Sequence, residues 1–306
     1  MSNEMYQKTG IVVNRLAQDF LSRKIGDRIP SITEYQEKFQ VSRGTVQNSL
    51  NYLKDRGAIT LTSRGHMGTF IETLDYHRLQ ECGFTKEILG SMPLPYSLCY
   101  QGLATALYQL MKPYAFNLVY ARGSGSRMKL LNSDVCQFAL CSLYAAEEAI
   151  QSNADIEIAL NLGPGTYLTR HVMIFREAGK TAIESGMRVA YDPDSMDHRH
   201  LTELMISDVE NVHLEKIKAH QTIKAIQAGE VDAGVWNLDE ILESGYTDLN
   251  VVPIPITPET AKYSSAAFVV RRGNEEIAQL LCQIIRPEQV KKIQQDVREG
   301  RITADF

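Results

Sequence analysis

Apolar residues recur every four positions at Val12, Leu16 and Phe20 within residues 5–22, the repeat of a helix that buries one stripe. "GDRIPS" breaks that helix, with Gly26 for the turn and Pro30 restricting the residue before it. A short second helix follows, capped by Ser31 or Thr33, with Ile32, Tyr35 and Phe39 facing inward. After "QVS" the spacing predicts a third helix with Ser42 as N-cap and Val46, Leu50 and Leu53 as its buried face, ending near Gly57. The period then changes: residues 58–62 and 68–72 are strand-like and flank "SRGHM", where Gly65 permits a tight reversal. Three helices on short connections followed by a hairpin predict a winged helix-turn-helix over 1–74.

Residues 75–91 read as a polar, partly helical connector ending in "LGSMPLP", where glycine and prolines mark a boundary. From 92 to 306 short apolar runs alternate with helical segments. "PYSLCY", "FNLVYA", "CQFALC" and "IEIALNL" are strand-like, and "LATALYQLM", "RMKLLN" and "YAAEEAI" are helical. A second series follows "GPG" at 163–165. It runs through the strands "HVMIFR", "MRVAYD", "NVHLEKI", "VDAGVW", "VVPIPI" and "AAFVVRR", with helices between them and two more at the end of the chain. Such alternation predicts an α/β layer structure with largely parallel sheets. The units are too many for one small sheet, so they predict two lobes, with crossings near 162–166 and 254–266 and a cleft between them.

The length of 306 residues with 44% apolar composition suits this multidomain arrangement. The net charge of −5 is unevenly spread. Residues 1–73 hold ten Lys/Arg against seven Asp/Glu, a balance of +3 that leaves −8 for the remainder. The local field of the first segment therefore attracts a phosphate backbone even though the average charge opposes it. Cys82, Cys99, Cys136, Cys141 and Cys282 are odd in number and scattered, and read as reduced, without a metal role. No basic leader precedes an apolar run and no stretch of about 18 apolar residues occurs, so a cytoplasmic chain without membrane contact is expected.

"GDRIPS", "VSRGTVQNSLNYLKDRGAI" and the wing "SRGHMGTFI" stand in the order and near the spacing of the winged helix-turn-helix of the GntR family of bacterial transcription regulators, which the first seventy residues resemble. The resemblance implies that Ser42, Arg43, Thr45 and Gln47 form the DNA-facing front of the recognition helix, and that Arg64 and His66 stand on the wing. It also places Ser31 and Thr33 at the start of the second helix. Thr33 stands where the family usually has arginine, and Gln47 at a position that is often arginine. The remaining two-thirds is similar to the type II periplasmic-binding-protein fold of LysR-like effector domains and transport receptors, most clearly in "AIQAGEVDAGVW". A GntR-like head on such a body resembles the YhfZ group of regulators.

The residue chemistry agrees. Arg43 can donate two hydrogen bonds to the O6 and N7 of guanine, and Gln47 can reach adenine. Ser42, Thr45 and the free N–H groups of that helix end suit phosphate oxygens, although capping alone also accounts for Ser42. Arg64 and His66 sit on a hairpin that can enter a minor groove, or form an ordinary solvated turn.

In the body, "RGSGSR" joins a strand to a helix, and Gly123, Ser124, Gly125 and Ser126 can converge backbone N–H groups and hydroxyls on an anion or simply make a turn. It lacks the lysine of a P-loop. Ser142 follows a strand, and Thr166, Arg170 and His171 follow the first crossing. Asp192 and Ser195 in "DPDSMDH" and Asn237 after "VDAGVW" complete the candidates. Arg170 is the planar donor best suited to a carboxylate or phosphate. Asp194, Asp197, His198 and His200 do not have a metal-ligand spacing, and no G-x-S-x-G elbow occurs, so neither metal, cofactor nor enzyme activity is expected.

These readings predict a dimeric, ligand-responsive DNA-binding regulator whose partners are a duplex operator and a small polar or anionic effector. The alternative is a solute-binding or dimerisation protein whose cleft is not coupled to DNA.

Overall fold

The computed structural model of the protein describes residues 2–83, 88–112, 114–246 and 248–306. The chain divides into two compact units.

The first unit holds the predicted winged head. Helix α1 (Ser2–Leu21) packs on α3 (Arg43–Asp55), and α2 (Ile32–Phe39) leans on α3. Val12, Leu16, Phe20, Tyr35, Val46 and Leu53 are all buried, the stripes that the four-residue repeat predicts. Ser31 is the cap of α2. Its hydroxyl accepts from the Glu34 N–H at 3.2 Å while the Glu34 carboxylate accepts from the Ser31 N–H at 2.6 Å, a reciprocal capping box. Thr33, the other candidate cap, is exposed in the first turn. Strands β1 (Ile59–Ser63) and β2 (Thr69–Leu74) pair antiparallel around a single 3-10 turn at Gly65–Met67.

Asp19 ties the helices together. One carboxylate oxygen accepts from Arg23 Nε and Tyr35 Oη, both at 2.7 Å, and the other from Lys38 Nζ at 2.7 Å. Burial opposes the charged form, but the bonds from Arg23, Lys38 and Tyr35 outweigh it and hold the carboxyl below its ordinary value.

The segment expected to be a partly helical connector does hold a helix, and that helix is docked on the head. Helix α4 (Tyr76–Gly83) packs on α1, with Leu79 fully buried and Asn14 Nδ2 donating to the Gly83 carbonyl at 2.6 Å. One buried leucine in a polar octapeptide is too little periodicity for its docking to be read from sequence. The "LGSMPLP" boundary likewise lies on β3 (Ile88–Met92), a strand inside a five-stranded sheet. Its glycine is there because the Phe138 ring stands 2.2 Å from where a Gly90 Cβ would be, a close approach rather than a turn.

The second unit carries two lobes. α5 (Leu98–Met111) follows β3, so "PYSLCY" enters a helix rather than forming a strand. α5 is buried on nearly every side, and an apolar run of that kind looks the same in either element. Next come β4 (Phe116–Tyr120), α6 (Ser124–Asn132), β5 (Phe138–Ser142), α7 (Leu143–Gln151) and β6 (Ile156–Asn161). The chain then crosses to β7 (His171–Phe175), β8 (Arg188–Tyr191), α8 (Met196–Ile206), β9 (His213–Lys216), α9 (Thr222–Gln227), β10 (Ala233–Asn237), α10 (Leu238–Glu243) and β11 (Asn250–Pro253). It returns through β12 (Ala266–Arg271) and ends in α11 (Glu275–Ile284) and α12 (Pro287–Arg298).

The sheet orders are β4-β3-β5-β12-β6 and β11-β7-β10-β8-β9. Both are mixed rather than largely parallel. β12 runs antiparallel to β5 and β6, and β7 antiparallel to β10 and β11. The cause is the crossing itself. A strand arriving from the other lobe starts at the edge where its neighbours end, so Ala266 lies opposite Ser142 and His171 opposite Asn237. The crossings are bonded to each other, Leu162 N–H to the Ala266 carbonyl and Tyr167 N–H to the Ser264 carbonyl, each at 2.9 Å.

Asp19→Asn removes the charge that Arg23 and Lys38 share and is expected to destabilise the head by about 2 kcal/mol, the scale of hydrogen bonds to a charged group. Because the folded carboxyl is depressed, this contribution is present above its ordinary value of 3.8 and is lost as pH falls through the folded value. Amide hydrogen exchange across α1 and α2 at pH 7 measures it; unchanged protection would refute the assignment.

Candidate functional site

The carboxyl ends of the strands in both lobes of the second unit open onto one cavity of about 650 Å³, the position expected of a ligand site in an open α/β sheet. From the first lobe, Gly123 turns the chain at φ +70° into α6. Ser124, Gly125 and Ser126 line the cavity, and as first-turn residues their N–H groups have no acceptor within the helix.

Arg127, one turn on, is 3% exposed. Its guanidinium donates to the Leu140 carbonyl at 2.6 Å, the Ala121 carbonyl at 2.9 Å and the Tyr167 hydroxyl at 3.0 Å. All three acceptors are neutral, so none cancels the charge.

From the second lobe, Asp192 and Ser195 follow β8, and Asn237 ends β10 and caps α10. Both Asp192 carboxylate oxygens are taken by backbone donors, the Asp194 N–H at 3.0 Å and the Ala219 N–H at 2.7 Å. Ser195 caps α8 by position only, with its hydroxyl unused for capping. Arg122 reaches the His220 ring across the cleft at 2.9 Å. Aromatic rings line the other part of the cavity. Tyr96 lies stacked with Trp236 at 6.4 Å between centroids, Tyr100 stands edge-on to Tyr96 at 5.2 Å, and Tyr167 edge-on to Tyr100 at 5.2 Å.

Eight of the eleven residues expected to meet a ligand therefore line one cavity: Gly123, Ser124, Gly125, Ser126, His171, Asp192, Ser195 and Asn237. Three lie outside its lining. Ser142 caps α7, accepting from the Ala145 N–H at 3.0 Å, and donates across the lobes to Asp197 at 2.7 Å. Thr166 is fully buried at the crossing, where its hydroxyl donates to the Gly163 carbonyl at 2.6 Å and accepts from the Ala266 N–H at 2.9 Å. Arg170 lines a separate pocket of about 20 Å³ beside Thr260 and Ile254. Arg127 is the main omission of the sequence reading. It stands in "RGSGSR", but nothing in sequence distinguishes a buried arginine from a surface one.

In the head, Ser42 caps α3, accepting from the Thr45 N–H at 3.2 Å, with its hydroxyl 2.8 Å from that of Thr45. Arg43 and Gln47 are exposed, and no hydrogen bond or ion pair among the described residues engages either. On the wing, the Arg64 guanidinium lies 4.7 Å from the Phe70 ring centroid, and His66 is exposed in the 3-10 turn.

The family model described as the YhfZ C-terminal domain matches residues 75–306. The chain belongs to the YhfZ family. A helix-turn-helix domain model matches residues 24–71. YhfZ of Escherichia coli (strain K12) is 30% identical over 304 residues, covering 98% of each chain. The crystal structure of YhfZ from Shigella flexneri superposes with a TM-score of 0.63 at 27% identity, covering 75% of this chain and 97% of that one. The periplasmic aliphatic sulphonate binding protein SsuA of Escherichia coli matches with a TM-score of 0.50 at 13% identity over 71% of each chain, a likeness of fold. This YhfZ-family chain thus joins a helix-turn-helix domain to a two-lobed body resembling the type II periplasmic-binding-protein fold. Among the described residues no helix is long and apolar enough to cross a membrane, and no group of three or more His, Cys, Asp or Glu is placed to hold a metal ion.

Burial sets the protonation of the cleft. His171 is pushed well below its ordinary value by burial and by His198, and His198 is itself brought down by burial to about 4. Both rings are neutral near pH 7. Burial pushes the Asp197 carboxyl up to about 6, against the opposing effects of the Ser142 hydroxyl and the Arg127 charge.

A folded value raised above the ordinary 3.8 means that ionised Asp197 costs stability, a cost that is absent below pH 3.8, grows as pH rises from there and is fully present above about 6. Asp197→Asn keeps an acceptor for Ser142 and is expected to stabilise the second unit at pH 8 by about 1–2 kcal/mol, after allowance for solvent in the cleft, with no gain at pH 3.5. Urea unfolding at the two pH values measures this; equal effects at both would contradict the assignment.

Proposed function

We propose that this YhfZ-family chain is a ligand-responsive, sequence-specific DNA-binding transcription regulator. The observation that carries the reading is the exposed front of α3, where Arg43 and Gln47 stand with no bond to the described residues beside a first turn already ordered by Ser42. Long polar side chains left unpaired on one face of a capped helix suit base edges in a major groove, Arg43 on guanine and Gln47 on adenine.

The Ser42 and Thr45 hydroxyls and the first-turn N–H groups suit phosphate oxygens, as do Ser31 and Thr33 at the start of α2. Arg64 and His66 follow the wing into the adjacent groove or along the backbone. A homodimer delivers two such helices to half-sites about 35 Å apart.

The cleft is the effector site, with Gly123 to Ser126 and Asp192, Ser195 and Asn237 facing a small polar or anionic molecule, and Ser142, Thr166 and Arg170 supporting the walls and crossing. Closure of the lobes on that molecule changes operator affinity, and linkage requires the operator to change effector affinity by the same factor. The reaction chemistry of an enzyme has no part in this reading.

Arg43→Ala is expected to lower affinity for a duplex from the chain's own upstream region by about tenfold, the scale of one bidentate base contact, while weakening binding to random duplex much less. Fluorescence anisotropy at one fixed salt concentration reads both. A protein that holds the two duplexes equally, with Arg43→Ala changing neither, would sink the regulator reading. Specific binding unaltered by any cleft ligand would select the uncoupled alternative, in which the body serves dimerisation or solute binding alone.

A further inference from the structure

Taking the cleft as the effector site, we infer that its ligand is an organic oxyanion: a phosphate, sulfonate or carboxylate group held at the start of α6, attached to a ring that lies against Trp236 and Tyr96. The two ends of the cavity differ in chemistry, and its size leaves room for one molecule that reaches both.

At the first end the donors outnumber their uses. The N–H groups of Ser124, Gly125 and Ser126 open a nine-residue helix toward the cavity, and a Cβ built on Gly125 meets nothing within 4 Å, so the space before them is open. Arg127 spends three of its five N–H donors on neutral oxygens and keeps two. A guanidinium 3% exposed with no carboxylate bonded to it is stable when an anion arrives to share its field. Of the acids nearby, Asp197 feels the Arg127 charge but bonds to the Ser142 hydroxyl rather than to the guanidinium, and both Asp192 oxygens accept from backbone N–H groups. Asp194 is exposed, and Glu240 lies among the residues of the aromatic end.

At the second end an independent feature calls for a ligand. Asn237 is 1% exposed and lines the cavity, yet its Nδ2 has no hydrogen-bond partner; the Tyr96 hydroxyl lies beside it without completing a bond. Trp236 is 3% exposed, and its Nε1 faces the Glu240 carboxylate without meeting hydrogen-bond geometry. The unspent Asn237 donor next to aromatic faces fits a ring that carries an acceptor such as a hydroxyl or carbonyl oxygen. The volume decides against a bare inorganic anion. About 650 Å³ falls within the range of sites that enclose organic molecules.

The test uses the full chain and calorimetry, with the emission of its single tryptophan, Trp236, as a second readout. The probes are 4-hydroxyphenyl phosphate, 4-hydroxybenzenesulfonate and 4-hydroxybenzoate, with inorganic phosphate and sulfate as bare anions and 4-hydroxybenzyl alcohol as the neutral ring. At least one aryl oxyanion is expected to bind tenfold or more tightly than both inorganic anions and the neutral ring. Gly125→Asp puts a carboxylate into open space at a helix start, where it favours the helix. It is expected to leave the melting temperature unchanged or raised while weakening the aryl oxyanion at least tenfold. Trp236→Leu is expected to weaken the aryl oxyanion and leave inorganic phosphate unaffected.

Binding of none of the aryl oxyanions, equal binding of a bare anion or the neutral ring, or an aryl oxyanion indifferent to Gly125→Asp would each overturn the inference. Repeating the operator titration with the tightest probe separates the two readings. Binding in the cleft with unchanged operator affinity removes the coupling and leaves the ligand class standing, whereas specific operator binding by a protein whose cleft takes no probe removes the ligand class alone.

Discussion

The two-lobed body depends on one constraint: the chain passes between lobes twice, and the two passages are hydrogen-bonded to each other. Leu162 and Tyr167 donate to the carbonyls of Ala266 and Ser264, and the Ala266 N–H donates to Thr166 Oγ1. Because both passages leave and enter at the same edges, β7 and β12 are forced to run against their neighbours. The same geometry brings the carboxyl ends of β4, β8 and β10 onto one cavity. Gln294 of α12 braces the arrangement by donating to the carbonyls of Thr166 and Cys99, which it reaches because Gly102 of α5 has no side chain in the way.

Within that frame the cavity joins opposite kinds of surface. One wall places a helix start beside a buried guanidinium; another presents aromatic faces next to the unspent Asn237 amide. Burial keeps His171 and His198 neutral, so neither ring adds positive charge to the cleft, and it raises the Asp197 carboxyl only to about 6, which leaves it mostly ionised near pH 7 within the field of Arg127.

The head follows a different economy. The starts of α2 and α3 are ordered locally, Ser31 with Glu34 before α2 and Ser42 with Thr45 before α3. Capping leaves the side chains beyond the first turn uncommitted, and Asp19 locks α1 to α2 from within. The result is a rigid platform whose outer residues, Arg43 and Gln47, meet solvent rather than protein.

Local order was legible in the residues alone, since caps, four-residue stripes and strand-helix alternation act over a few positions. The buried stripes of α1 to α3, the cap at Ser42, the hairpin and most strands of the body follow from them. Tertiary structure decided what depends on distant neighbours. Leu79 makes a docked helix of an apparent linker only because α1 offers a partner, and Gly90 marks a strand because Phe138 occupies its side-chain space. Thr166 and Arg127 show the same limit in chemistry. Sequence supplies a hydroxyl and a cation, but whether each meets a ligand or a backbone carbonyl is settled by which strand ends converge, and that convergence arises from pairings more than a hundred residues apart.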